Sequence, residues 1–362
     1  MDKVYVNRLI RLREAMRESG IDGMIILDRD NTFYLTGFCG SASILVIMSD
    51  VAVFLADGRF FEQVRKSLSL DMYEIIFQNK DGKEQIKGFF GIRGKLRIGF
   101  ESSISYERYI WLSEAVRPAR LVDACKILTS ARMLKDEKEL RLIRRAAAIT
   151  DRCVEMILKE LKPGVTEHEL AVKIRRFFED GGAEGESFPT IVAFGINSAY
   201  PHHETSRRKL KAGEAALFDL GCRVKGYCSD LTRTVFVGSS DARQRKVYEI
   251  VLGAQAAAIK KIKAGVSARE VDAAAREYIR NAGFGDAFRH NTGHGVGINV
   301  HEQPRLTPFA DDILKKGMVI TVEPGIYLPN FMGVRIEDLV LVGEDGPVVL
   351  SKSPKKMRIV SQ

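Results

Sequence analysis

In residues 1–130, segments whose apolar residues recur with a helical period alternate with short apolar runs. The segment up to about Ser19 spaces its apolar side chains three and four apart among Lys, Arg and Glu, which predicts an amphipathic helix. The runs GMIILD, ASILVIMS, VAVFLAD and LRIGF predict strands, and a further helix is expected from about Phe60. This alternation predicts an α/β domain with a mainly parallel or mixed sheet.

The pattern changes near Leu128. The segment SARMLKDEKELRLIRRAAAITDRCVEMILKELK predicts one long helix with charged residues on one face. We therefore predict two domains, one formed by residues 1–130 and the other by residues 131–362.

The second domain contains an internal repeat. The segment KPGVTEHELAVKIRRFFEDGGAEG, from Lys162, aligns with KAGVSAREVDAAAREYIRNAGFGD, from Lys263. Each copy predicts a helix that opens with a capping box, Thr166 with Glu169 and Ser267 with Glu270. Each helix is expected to end in a left-handed glycine, at Gly181-Gly182 and at Gly283.

The repeat continues into strands that carry acidic residues. LKAGEAALFDLG aligns with LKKGMVITVEPG, and GYCSDLTRTVFVG aligns with GVRIEDLVLVG after a small gap. Asp219 is thereby matched with Glu323, and Asp230 with Glu337. We expect two similar halves related by a pseudo-two-fold axis, each presenting one carboxylate pair, with His294 as an asymmetric addition.

These four carboxylates predict a metal site. Asp219 and Glu323 follow apolar strand residues, where an unpaired charge costs several kcal/mol. Arg233 and Arg335 could form ion pairs, but four acids outnumber two arginines. Two divalent ions would balance the four charges and leave room for one bridging hydroxide, the nucleophile of a hydrolase. Oxygen ligands without cysteine suit a hard or borderline ion.

Three further histidines occur near these motifs, His202, His290 and His301. His294 itself lies in GHGVG, where the glycines allow a tight turn and a close approach to a ligand. Imidazole can bind a metal, donate to an oxyanion or pass a proton near neutral pH. We expect one histidine to be a ligand and the others to be available for catalysis.

Composition narrows the function classes. The chain has 362 residues and a net charge of +9, but its Lys and Arg are scattered along helices, so we expect no nucleic-acid partner. No apolar run of about 18 residues predicts a membrane span, and the amino terminus lacks the apolar core of a secretion signal. Five irregularly spaced cysteines predict reduced thiols and a cytoplasmic location.

Four segments together resemble one enzyme family. The family is that of the pita-bread metallopeptidases, in the branch of aminopeptidase P and prolidase. The segments that resemble it are SFPTIVAFGINSAYPHH, FDLGCRVKGYCSDLTRTVFVG, NTGHGVGINVHEQP and GMVITVEPGIYLP with GVRIEDLVLV. DNTFYLTGFCGSASILVI and FLADGRFFEQ resemble the creatinase-type amino-terminal domain. The resemblance implies an α+β pita-bread catalytic domain with a pseudo-two-fold internal repeat, preceded by a smaller α/β creatinase-type domain.

The same resemblance implies the ligand set. Its members are Asp219, Asp230, His294, Glu323 and Glu337. Asp230 and Glu337 would bridge two divalent ions, Asp219 would chelate one ion, and His294 and Glu323 would bind the other. Mn or Co is expected, with Zn or Fe as alternatives.

It also implies catalytic residues around the metals. Glu323 would act as the base, His202 or His301 would stabilise the oxyanion, and His290 and Arg335 would complete the site. Because His203 follows His202, which of the two faces the substrate stays open. Weaker candidates, for gripping a substrate carboxylate or forming apolar walls, are Arg305, Tyr327, Phe188 and Tyr200.

The implied activity is hydrolysis of the Xaa-Pro bond in small peptides with proline in the second position. Dipeptides (prolidase) are slightly favoured over the amino termini of longer peptides (aminopeptidase P), and a homodimer is expected. Alternatives are a creatinase-like C–N hydrolase, a methionine aminopeptidase, and a pseudoenzyme that serves as a binding module.

Overall fold

The computed structural model describes residues 3–40, 43–68, 72–90 and 95–361, which form two compact units, Met1–Arg132 and Met133–Gln362. The helices and strands of the first unit are α1 (Lys3–Glu18), β1 (Gly23–Ile26), α2 (Arg29–Thr36), β2 (Ser43–Met48), β3 (Ala52–Ala56), α3 (Phe61–Ser67), β4 (Glu74–Phe77), α4 (Lys83–Phe90), β5 (Arg97–Phe100), α5 (Tyr106–Ala115), β6 (Arg120–Asp123) and α6, which begins at Cys125 and ends at Met133.

The first unit is built on a mixed six-stranded sheet in the order β4-β3-β2-β1-β5-β6. The pairs β1–β2 and β2–β3 are antiparallel, while β3–β4, β1–β5 and β5–β6 are parallel. All four predicted strands are present, although Ala42, at the start of the predicted ASILVIMS strand, lies outside the described residues. The edge strands β4 and β6 were not predicted, because their half-exposed residues lack a clear apolar pattern.

The second unit contains longer helices and two main sheets. Its elements are α7 (Glu137–Glu160), α8 (Glu167–Asp180), β7 (Gly185–Glu186), β8 (Ile191–Phe194), β9 (Ala215–Leu220), β10 (Cys222–Val224), β11 (Tyr227–Cys228), β12 (Leu231–Val237), α9 (Ala242–Lys261), α10 (Ala268–Asn281), β13 (Gly293–Gly295), β14 (Glu302–Leu306), β15 (Val319–Val322), β16 (Gly325–Leu328), β17 (Met332–Arg335), β18 (Asp338–Val342), β19 (Pro347–Val349) and β20 (Ile359–Val360), with 3-10 turns at Gly195–Ala199 and Gly285–Ala287.

The prediction of one long helix near the domain boundary is wrong. The chain forms α6 and α7 instead, and Asp136 caps α7 by accepting from the amides of Lys138 and Glu139. Glu139 reaches back to the amide of Asp136 and completes a capping box. This Asp-x-x-Glu signal in LKDEKE starts a new helix, although its charges also fit the exposed face of a continuous one.

The second unit repeats one arrangement twice. Strands β8, β9 and β12 form consecutive antiparallel pairs, and so do β13, β15 and β18. The loop contacts are also equivalent, since the Gly164 amide donates to the Leu210 carbonyl and the Gly265 amide donates to the Leu314 carbonyl. The pseudo-two-fold repeat predicted from the sequence is therefore present.

Helix ends within the repeat agree only in part with prediction. Thr166 and Glu169 form the expected capping box, and Gly182 and Gly283 have φ values of 79° and 87°. The second box is wrong, because Ser267 accepts from the amide of Arg269 and leaves the Glu270 amide to bond the Ser267 carbonyl. Among the described residues, no helix is long and apolar enough to cross a membrane.

Candidate metal centre and active site

Strand register brings the two carboxylate pairs to the same place. Asp219 in β9 lies opposite Thr232 in β12, and Asp230 immediately precedes β12. In the second half, Glu323 follows the last residue of β15 and Glu337 precedes the first residue of β18, at the end where Val322 pairs with Asp338. Each half therefore presents its acidic pair from two neighbouring strands.

His294 joins this group from β13. The ligand atoms of Asp230, His294 and Glu337 lie within 4.8 Å of one another. The Nε2 atom of His294 is 3.6 Å from Asp230 Oδ2 and 3.2 Å from Glu323 Oε1. All five predicted ligands, Asp219 included, line one cavity of about 450 Å³.

The structure also explains why the histidine has no mate in the other half. Strand β8 occupies the position in the first half that β13 occupies in the second. Gly295 pairs with Ile320, so His294 lies opposite Thr321. Leu217 matches Thr321 in the repeat and pairs with Ala193. Ala193 therefore stands where His294 does.

The pKa values of these acids are shifted as at a cation-binding site. Burial and the neighbouring carboxylates raise the pKa values of Asp230 and Glu337 well above normal. Burial raises the pKa of Asp219 as well, although Arg335 opposes the shift. Burial also disfavours the charge on Glu323, but the hydrogen bond and charge of His294 prevail and lower its pKa. Four close carboxylates cannot all be ionised here without added positive charge.

Two further observations test whether metal ions fit. The Oδ1 atom of Asp219 is buried and has no hydrogen-bond partner among the described residues, which leaves it available to a cation. Four carboxylates and one imidazole form the mainly oxygen donor set that suits Mn, Co or a similar divalent ion. The residues therefore fit two divalent metal ions.

Arg335 connects the acidic group to the cavity wall. Its NH2 atom is 2.6 Å from Asp219 Oδ2, its Nε atom donates to Thr232 Oγ1, and its NH1 atom donates to the Tyr327 hydroxyl. Tyr327 in turn lies 2.9 Å from His290 Nε2. Burial raises the pKa of Tyr327 to about 12, so this hydroxyl keeps its proton.

His290 is held by both ring nitrogens. Burial lowers its pKa, so the neutral imidazole is favoured. Its Nδ1 atom faces the Asn291 carbonyl at 2.8 Å and must donate, which leaves Nε2 to accept from the Tyr327 hydroxyl. His290 therefore lines the cavity with both nitrogens engaged, and Tyr327 bonds inward instead of forming an apolar wall.

His202 and His203 have different surroundings. His202 lines the cavity, whereas His203 Nε2 lies 2.9 Å from Glu167 Oε2, away from the acidic group. The choice left open by the sequence therefore falls on His202 as the residue that faces the cavity. Tyr200 is 61% exposed and does not line the cavity.

Other cavity residues supply both polar and apolar surface. The His301 ring lies 4.4 Å from that of His294, and burial together with the charge of His294 lowers the pKa of His301. Arg305 lines the same cavity. Apolar surface comes from Phe188, which was expected, and from Pro189 and Ile191, which sequence reasoning missed.

Two buried threonines were also missed. Thr232 Oγ1 lies 2.7 Å from Glu337 Oε2, and Thr321 Oγ1 lies 3.0 Å from Glu323 Oε1. Each is two residues from an acidic ligand in the sequence, Asp230 and Glu323 respectively, and this spacing places them on the same strand face.

Comparison with known proteins agrees with this picture. Residues 141–344 match the model of metallopeptidase family M24, and residues 8–134 match the creatinase/prolidase amino-terminal domain. The chain is 34% identical to the Xaa-Pro dipeptidase of Pyrococcus horikoshii over 96% of its own length and 97% of that protein.

Solved structures are equally similar. The Xaa-Pro dipeptidase from Bacillus anthracis superposes with a TM-score of 0.94 at 37% identity, covering 98% of this chain and 99% of that chain. The X-Pro aminopeptidase from Thermotoga maritima superposes with a TM-score of 0.87 at 33% identity, covering 96% of this chain and 100% of that one. With its acidic centre, its repeated catalytic unit and its creatinase-type first domain, the chain belongs to metallopeptidase family M24.

Proposed function

We propose that this protein is a metal-dependent exopeptidase that hydrolyses the Xaa-Pro bond, with Xaa-Pro dipeptides as its first substrate class. The observation that carries the proposal is the convergence of five metal-ligand side chains on one cavity that also contains an apolar wall and a guanidinium group. The dipeptidase names of the relatives from P. horikoshii and B. anthracis support it.

In this proposal Asp219, Asp230, His294, Glu323 and Glu337 hold two divalent ions, Mn or Co, with Zn or Fe as alternatives. When bound, such ions polarise a carbonyl and make a water molecule acidic enough to attack at neutral pH. Glu323 receives the proton of that water at a carboxylate oxygen and delivers it to the departing nitrogen.

Two further histidines complete the chemistry. His301 and His202 line the cavity and can each donate one N–H to the oxyanion as the carbonyl carbon becomes tetrahedral. A lowered pKa keeps the His301 imidazole neutral at pH 7. Arg335 neutralises part of the acidic group through Asp219 and, through Tyr327, fixes the orientation of His290.

The apolar wall suits the ring of proline. A proline residue has no amide proton, so a site that recognises it needs shape rather than a hydrogen-bond acceptor. Phe188, Pro189 and Ile191 provide such a surface beside the acidic group.

Arg305 favours dipeptides. It lies opposite His294 in the β13–β14 register, and no hydrogen bond or ion pair engages its guanidinium among the described residues. In a dipeptide the free carboxylate belongs to the proline itself, close to the cleaved bond. An available guanidinium at the cavity edge can bind that carboxylate with two parallel hydrogen bonds.

A second candidate is cleavage at the amino termini of longer peptides. A neighbouring cavity of about 420 Å³ shares Pro189, Ile191 and His202 with the first one and would give further residues of a peptide a place to lie. The T. maritima relative, an X-Pro aminopeptidase, also supports this candidate.

Metal-reconstituted protein assayed on Ala-Pro, Ala-Pro-amide and Ala-Pro-peptides tests both candidates, with Ala-Ala and creatine as controls. We expect Ala-Pro to be preferred, and Arg305→Gln to raise KM for Ala-Pro while leaving KM for the amide nearly unchanged. Preference for longer peptides would favour the aminopeptidase. If neither Mn nor Co restores cleavage of any Xaa-Pro substrate, the metallopeptidase proposal is wrong. We also propose a homodimer, which light scattering in solution tests.

A further inference from the structure

Two buried threonine hydroxyls lie against glutamates of the acidic group. Thr232 and Thr321 are both 0% exposed. Thr232 Oγ1 is 2.7 Å from Glu337 Oε2, and Thr321 Oγ1 is 3.0 Å from Glu323 Oε1. One hydroxyl comes from each half of the repeat.

The direction of both hydrogen bonds is fixed by a second partner. Arg335 Nε donates to Thr232 Oγ1 at 3.1 Å, and the His294 amide donates to Thr321 Oγ1 at 3.0 Å. Neither nitrogen can accept, so each hydroxyl proton is left for the carboxylate. A carboxylate that receives such a proton is stabilised in its ionised form and held in one rotamer.

A neighbouring threonine shows that this arrangement is not imposed by burial alone. Thr234 lies two residues beyond Thr232 on the same strand and is 1% exposed. Its hydroxyl donates to the Arg335 carbonyl at 3.0 Å and accepts from the Arg335 amide at 3.3 Å. A buried threonine on this strand face is therefore satisfied by backbone groups when no carboxylate is adjacent.

The threonines also depart from the repeat. Alignment of the two halves matches Thr321 with Leu217, which has no hydroxyl. The strand register places Thr232 at the position that Glu337 holds in the other half, so its hydroxyl also has no counterpart. Both hydroxyls serve glutamates, whose side chains have one more rotatable bond than aspartate and lose more conformational entropy when fixed. The aspartate of the β9 strand is instead held directly by Arg335.

We propose that Thr232 and Thr321 are positioning residues that hold Glu337 and Glu323 in the orientation required to bind divalent metal ions. The proposal rests on the metal centre assigned above. Loss of such outer hydrogen bonds typically weakens metal affinity by about 10–100-fold. The effect should appear in metal binding itself and not only in turnover.

The test is titration of metal-free full-length protein with Co²⁺, followed by calorimetry and by the visible absorption of bound cobalt. Thr232→Val and Thr321→Val remove each hydroxyl with little change of shape, and Thr232→Ser and Thr321→Ser restore it. Thr234→Val is the matched control, because it removes an equally buried hydroxyl from the same strand face. If a valine variant does not fold, the corresponding alanine variant replaces it.

We expect the native chain to bind two Co²⁺ ions. The two valine variants should bind at least one ion about 10-fold or more weakly, with a changed absorption spectrum. The serine variants should bind Co²⁺ with an affinity within about 3-fold of the native value. The control should melt at a lower temperature and bind Co²⁺ with native affinity. Native affinity in both valine variants, or equal weakening in the control, would overturn the role of the threonines. Failure of the native chain to bind Co²⁺ would instead overturn the metal centre.

Discussion

Replacing Glu167 by glutamine should destabilise the second unit and disturb the segment that carries His202. Glu167 is fully buried at the start of α8. Its Oε1 atom accepts from the Phe194 amide and from Asn197 Nδ2, at 2.8 and 2.9 Å. Its Oε2 atom accepts from His203 Nε2 and from both the amide and the hydroxyl of Ser206. One carboxylate thus fixes both sides of the turn around His202.

The magnitude follows from these five bonds. Glutamine has one carbonyl oxygen, which can keep the three donors at the Oε2 position. Its NH2 group then faces two donors, Asn197 Nδ2 and the Phe194 N–H. Asn197 can rotate its side-chain amide to present its oxygen, but the Phe194 N–H is fixed in the backbone and loses its acceptor. One buried donor without a partner costs about 1–3 kcal/mol, and the three remaining bonds lose the strength that charge gives them. We expect a total loss of about 2–5 kcal/mol.

The loss should depend on pH in a defined direction. Burial disfavours the Glu167 charge, but hydrogen bonds from Ser206, His203 and the Phe194 amide prevail and lower its pKa below the unfolded value. The folded state therefore binds fewer protons than the unfolded state at this site. Its contribution is complete above the unfolded pKa of about 4.3 and is lost as pH falls through the folded pKa. The difference in free energy of unfolding between the native chain and the glutamine variant should therefore become smaller as pH falls.

Scanning calorimetry of the second-unit transition at pH 7 and at pH 4 measures both effects. A loss of this size lowers the melting temperature of a unit of this length by roughly 5–15 °C. Glu169→Gln is the control, because glutamine also completes a capping box and Glu169 is exposed. A Glu167→Gln variant that melts within about 1 °C of native at pH 7, or whose deficit widens in acid, would refute the reasoning.

Three further predictions concern the metal centre and its surroundings. Glu323→Gln should lower kcat by about 100-fold or more while the far-ultraviolet circular dichroism stays native, and near-native turnover would mean that the base is misassigned. Chelation of the metal ions should lower the melting temperature of the second unit. Adding ions back at about 100 times their Kd should restore roughly 2.7 kcal/mol of unfolding free energy. The chain's one tryptophan, Trp111, lies in the first unit, so its fluorescence reports on that unit separately. Tyr327→Phe should cost about 1–3 kcal/mol in calorimetry, because Arg335 and His290 lose a buried partner, and an unchanged transition would contradict that account.

The acidic residues of the site could be predicted from the sequence, but the residues that hydrogen-bond to them could not. Asp219, Asp230, Glu323 and Glu337 could be found because duplication repeats the strand motifs that carry them and their apolar surroundings mark them as buried. The break between α6 and α7 was missed because Asp and Glu in the same segment suit both a cap and an exposed helix face. The local pattern does not distinguish the two, because a buried capping glutamate such as Glu139 has the same sequence context as a solvated one.

The histidines show a different limit. His202 and His203 are adjacent and chemically identical in the sequence, and what separates them is Glu167, which binds His203 from another element. Thr232 and Thr321 were missed for the same reason, since a threonine in a strand is ordinary until its partner across the fold is known. Contacts between distant residues assign these roles, and no periodicity encodes them.

The departures from the repeat also indicate how one active site can arise from two similar halves. Duplication supplies four carboxylates in two equivalent pairs, which by itself would favour two equivalent metal positions. His294 in place of a residue like Ala193 adds an imidazole on one side only, next to Glu323. Thr321 and Arg335 add their contacts to single members of each pair. This asymmetry allows the two sides to take different roles, because the carboxylate next to the imidazole has its charge stabilised and can accept a proton that its counterpart does not.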